Sequence, residues 1–187
     1  MEDLINESYE FEQVDDNPSH TKYDFVSKGL QEIPKRVAII KYPHPGLERY
    51  YNLGFGNIFI DENGVELISD MSRNNNKSDT DKVLKTVFTC ALDFLSNSPD
   101  SILTFFGNTI AKHRLYKIGL NNNLASIESC FIIKGGIIND LKVTENKENG
   151  KRPDSIINID RIEYQTYDPA KSKSYNFITF EIKDDLK

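Results

Sequence analysis

Leu84, Val87, Phe88, Ala91, Phe94 and Leu95 recur three and four residues apart between positions 79 and 97. That spacing predicts a helix with one continuous apolar face. Lys82, Lys85, Thr89, Asp93 and Ser96 fall on its other side. A helix of this length with a one-sided stripe has to be covered by another layer. The flanking segments offer strands for that layer. Residues 23–27, 35–42 and 50–61 precede the helix, and 156–164 and 175–183 follow it, with alternating or β-branched and aromatic patterns. Strands, then helices, then strands imply an α+β fold: a mainly antiparallel sheet with two or three helices packed on one face. The strand–helix–strand run over 50–106 is suited to one parallel pair.

Ser78 followed by Asp81 resembles a capping box, and Asp79 and Asp81 complement the positive end of the long helix. Pro99 closes it. A short apolar strand is expected at 102–106 and a second helix at 109–118. In that helix Thr109 is the N-cap, Gly119 the stop, and Ala111, Leu115 and Ile118 the inner face. A short third helix is expected at 124–129. Gly135-Gly136 reads as a hairpin turn between 131–134 and 137–143. Gly54 and Gly56, two apart in a strand, share a face and indicate a bulge or the close approach of another backbone. Residues 1–20 are acidic and polar. They read as an extension with at most a short strand at 9–14, ahead of one α+β domain at 21–187 that carries an exposed loop near 144–155.

The 187 residues carry a net charge of −6, which repels nucleic acid and anionic lipid on average. Cys90 and Cys130 lie in apolar surroundings without CxxC spacing, so buried thiols in a reducing compartment are expected. No basic, apolar leader opens the chain and no apolar run approaches the roughly 18 residues of a membrane span. A cytoplasmic location without membrane contact is the expectation. His20, His44 and His113 are scattered, so no metal site and no cofactor are expected.

Cationic residues gather at one place. After the apolar run ending in Gly107 come Asn108, Thr109, Lys112, His113, Arg114, Tyr116 and Lys117. A helix start with unpaired N–H groups and nearby cations is suited to an anion. The candidate ligand-binding residues are therefore Gly107, Asn108, Thr109, Lys112, Arg114 and Tyr116, with Asn52, Asp79 and Lys82 in support. The plainer alternative is a tight turn leading into a solvated charged face, and a core-facing salt bridge is a separate alternative for Arg114.

YNLGFG at 51–56, Asp79-x-x-Lys82-Val83-Leu84-x-Thr86-Val87, and Gly107-x-Thr109-x-Ala111-x-x-Arg114-Leu115-Tyr116 occur in this order. In these segments the chain resembles a bacterial family of uncharacterised proteins, domain of unknown function 6934, over residues 23–183. Members carry YNLxFGD, SNNGDxxKVLxTV and GSxxxRxRLY. Here the second motif's loop reads NNNKSD, Lys112 replaces the first arginine of the third, and 144–174 expands the C-terminal part. The resemblance implies no activity. It singles out Arg114 and Tyr116.

The expected function is a non-enzymatic binding or regulatory module, of the kind found in mobile-element, toxin–antitoxin or phage-conflict systems. One alternative is an enzyme or sensor for a phosphorylated, nucleotide-like ligand held at Gly107–Arg114, with His113 or Asp79 moving the proton. Another is nucleic-acid binding through the same basic helix, which the net charge opposes. A homodimer or a protein partner is expected.

Overall fold

The computed structural model describes residues 2–69, 76–107, 110–139, 141–144, 154–157 and 162–187. The chain begins with α1 (Glu2–Asn6), β1 (Phe11–Asn17), β2 (His20–Lys28), β3 (Glu32–Lys41), β4 (Tyr50–Ile60) and β5 (Glu66–Ser69). It continues with α2 (Thr80–Asn97), β6 (Ile102–Phe105), α3 (Ile110–Asn122), α4 (Leu124–Glu128) and β7 (Phe131–Ile138). It ends with β8 (Leu141–Thr144), β9 (Asp154–Ile157), β10 (Ile162–Thr166) and β11 (Phe177–Ile182).

Nine strands form one sheet in the order β1-β2-β3-β4-β6-β11-β7-β10, with β5 added to β4, while β8 and β9 pair separately. Neighbours are antiparallel except β4 and β6, which run parallel with Tyr50 opposite Ile102 and Asn52 opposite Thr104. This is the expected α+β architecture, and the parallel pair arises from the expected 50–106 run.

Alternation along the strands sorts the sheet into two faces. Tyr23, Phe25, Val37, Ile39, Leu53, Leu103, Phe105, Phe131, Ile178 and Phe180 point to the helical layer and are buried. Phe88 of α2 meets Phe105 at 6.0 Å and Phe180 at 5.4 Å between ring centroids. Burying each such ring stabilises the fold by about 1.5–3 kcal/mol. The intervening residues, among them Arg36, Asn52, Gly54, Thr104, Lys134 and Tyr164, lie on the face without helices. There Arg36 grips Asp24 through Nε at 2.6 Å and Nη2 at 2.7 Å and also reaches Glu66 at 2.8 Å.

Several sequence expectations are corrected. Residues 2–20 are no tail: Leu4 is fully buried, and β1 pairs with β2 through Phe11 and Phe25, with a register shift between Gln13 and Asp15. Gly135 and Gly136 lie inside β7 rather than at a turn, each paired with β10 and β11. Small residues are needed there because the Tyr175 and Phe177 rings occupy the space a side chain would fill. Gly56 admits another backbone, as expected: a Cβ there would stand 2.6 Å from the Ser69 carbonyl of β5. β5 itself, absent from the sequence reading, follows the turn at Gly64, whose φ is +80°. The expected strand at 156–164 is instead two separate ones, β9 and β10. Of the loop expected near 144–155, residues 144, 154 and 155 belong to the paired β8 and β9, and 145–153 lie outside the described residues. Cys90 and Cys130 are buried free thiols, as expected.

Candidate functional site

Two groupings contain most of the described site residues expected from the sequence, Asn52 standing apart from both. The first gathers around Tyr9. Asp79 stands at the N-cap of α2, but its side chain makes no cap bond. Instead Asp79 Oδ2 accepts from Tyr9 Oη at 2.9 Å and Ser27 Oγ at 2.6 Å. The capping account of Asp79 is thus replaced by a cross-chain one. Asn76 Nδ2 donates to Ser27 Oγ at 3.0 Å and to the Gln31 carbonyl at 2.9 Å. The Tyr9 N–H donates to Thr86 Oγ1 at 2.9 Å, and the Lys82 ammonium lies 4.5 Å above the Tyr9 ring. Asp81, the other presumed cap, accepts from Asn123 Nδ2 at 2.6 Å and pairs with Lys85 at 3.0 Å. Nearby, Lys35 donates to Asn57 Oδ1 at 2.6 Å, and burial lowers its pKa.

These contacts form a clasp that ties the start of α2 to β2 and to the segment ahead of β1. Asp79, Ser27 and Asn76 are all buried. Buried polar groups joined this way are stabilising only while every member keeps its partner. A cleft of about 680 Å³ opens beside the clasp, lined in part by Tyr9, Phe11, Lys28 and Lys82, with Glu10, Glu12 and Asp24 among the acids.

The second grouping is α3. Its inner side rests on rings: Tyr116 stacks on Phe105 at 4.9 Å and meets Phe55 at 5.2 Å. Gly119 faces Leu84 of α2, and the helix runs on to Asn122, so Gly119 is a packing residue and not a stop. Leu120 is fully buried. His113 is half-buried and bonded at both nitrogens: Nδ1 accepts from the Gly107 N–H at 3.3 Å, and Nε2 donates to the Tyr175 carbonyl at 3.0 Å. Burial is the main cause that lowers its pKa and favours the neutral ring. Lys117 donates to the Ser172 carbonyl, and burial lowers its pKa too.

The remaining side of α3 differs from expectation. Leu115 and Ile118, read from the sequence as inner residues, are 48% and 47% exposed, and Arg114 is exposed beside them. With 100° per residue and Arg114 as origin, Ile118 falls at about 40° and Leu115 at about 100°, against about 200° for Tyr116 and 240° for Leu120. Leu115 and Ile118 thus lie in the opposite sector, while the side chain of Ala111, the third expected inner residue, lies outside the described residues. Among the described residues Arg114 makes no ion pair, so a structural ion pair does not account for it. Asn108 and Thr109 lie outside the described residues, as does the Lys112 side chain.

The cationic cluster read at 107–117 is therefore split. His113 and Lys117 turn toward the 172–175 segment, and Arg114 turns outward. The Gly107 N–H, a presumed anion donor, is already engaged. Asn52 sits on the helix-free face beside Gly54, across the sheet from Tyr116. Asp79 and Lys82 belong to the clasp. No described group of three or more His, Cys, Asp or Glu residues could hold a metal ion. No described helix is long and apolar enough to cross a membrane.

A family model described as a family of unknown function, DUF6934, matches residues 6–156. The chain belongs to this family. No curated protein and no solved structure matches it. The DUF6934 span contains the clasp and all of α3. It ends before β11, which lies between β6 and β7 in the sheet, and before the 172–175 segment that holds His113 and Lys117.

Proposed function

We propose that this DUF6934 member is a non-enzymatic binding module of regulatory type that acts through α3. One observation carries the reading. The helix is fastened from within by Tyr116, His113 and Lys117, while Arg114, Leu115 and Ile118 face outward. A firmly seated helix with an uncovered apolar and cationic sector has the make-up of a recognition surface. The groups that could move protons are otherwise occupied. His113 uses both ring nitrogens, and Asp79 is buried within the clasp.

The competing phosphorylated ligand at the Gly107 turn would keep Arg114 but compete with His113 for the Gly107 N–H. Wild type and Arg114→Ala are to be assayed for turnover of nucleotides, phosphosugars and nucleic acids. The expected result is no turnover by either protein. Turnover by wild type that Arg114→Ala abolishes would overturn the reading in favour of an enzyme.

A further inference from the structure

We infer that the outer sector of α3 docks an acidic amphipathic helix of a partner protein, a deepening that rests on the binding-module reading. The centre of the surface is apolar, made by Leu115 and Ile118, which stand one helical turn apart and are each about half exposed. Residues three apart on one helix face form a ridge that fits the groove of a second helix.

The rim is cationic. Arg114 borders Ile118 on one side. Beyond it, at about 300° on the same wheel, Lys117 joins α3 to the Ser172 carbonyl. That bond, with the one from His113 to Tyr175, sets the 169–174 segment alongside α3, and this segment carries the exposed Lys171 and Lys173. Lys171 stands 4.0 Å from Asp168, a loose and solvent-exposed pair that leaves its charge largely uncompensated. The 13 residues of α3 contain no acid. In a chain of net charge −6, the exposed Arg114 thus borders the apolar pair, and the exposed Lys171 and Lys173 lie on the segment tethered to the same helix.

Charge selects the occupant. A second copy of the chain would set α3 against α3 and oppose cation to cation. A phosphate backbone would pair with the rim but leave Leu115 and Ile118 against a polar surface, and the chain's overall charge repels it at distance. A helix with Leu-type residues at i, i+3 and i+4 and acids flanking them satisfies both the ridge and the rim.

The test uses the full chain and a labelled designed helix of Leu and Glu in that pattern, titrated by fluorescence anisotropy. Parallel titrations use its Lys-for-Glu counterpart, a DNA duplex and phosphatidylglycerol vesicles. The acidic helix is expected to bind and the basic one not. Leu115→Ser with Ile118→Ser should weaken binding about tenfold or more. Arg114→Ala should weaken it severalfold and flatten its salt dependence. No binding of the acidic helix, or binding indifferent to the double substitution, overturns the inference. So does tighter binding of duplex or vesicles, or a dimer that the double substitution disperses. None of these outcomes involves turnover, so the partner class can fail while the binding-module reading stands.

Discussion

α2 and α3 present apolar stripes of similar spacing, and the chain uses them in opposite ways. The α2 stripe, from Val83 to Leu95, is buried, with Phe88 between Phe105 and Phe180. The α3 residues of the same description, Leu115 and Ile118, face solvent, and the helix is seated by Tyr116, Gly119 and Leu120. The anchors of α3 are partly polar, since His113 and Lys117 bond to carbonyls of the 172–175 segment. An apolar stripe therefore reports that a partner surface is needed, and only the structure says whether the chain itself supplies it.

Substitutions should separate the two helices by size of effect. Phe88→Ala, in the centre of the α2 interface, should destabilise by about 3–5 kcal/mol in denaturant unfolding. Asp79→Ala leaves the Tyr9 and Ser27 hydroxyls without their buried acceptor and should lower stability by about 2–3 kcal/mol. Gly119→Ala drives a methyl against Leu84 and should cost about 1–3 kcal/mol, although alanine is the better helix former.

His113 supplies a pH test. Its folded pKa lies below the ordinary value of 6.5, so the unfolded chain takes up the proton more readily. The His113 contribution is present above pH 6.5 and is lost as pH falls below it toward the lowered folded pKa. Thermal melts should show the loss in wild type and a shallower slope in His113→Asn. The smallest effect is expected at Leu115→Ser, about 1 kcal/mol, since half of that side chain already meets water.

The strands and α2 were legible because their patterns are local. Alternation and a three-and-four spacing survive without knowledge of neighbours. Gly135-Gly136 misled because the reason for glycine there is the Tyr175 and Phe177 rings, about 40 residues away in sequence. Asp79 misled for the same reason: its partners Tyr9 and Ser27 are remote, and a carboxylate at a helix start has an adequate local explanation. Hydrophobicity alone places Leu115 and Ile118 inward, while the decisive contacts, Tyr116 on Phe105 and Gly119 on Leu84, are tertiary. Arg114 and Tyr116 stand two residues apart in one motif, yet they point to opposite sides of one helix.

The most direct measurement pairs two readouts on the Leu115→Ser, Ile118→Ser variant: its melting temperature and its affinity for the acidic amphipathic helix. The account predicts a melt close to wild type together with about tenfold weaker binding. A large drop in melting temperature would place these side chains inside the fold and contradict it, and so would a wild-type melt with wild-type affinity.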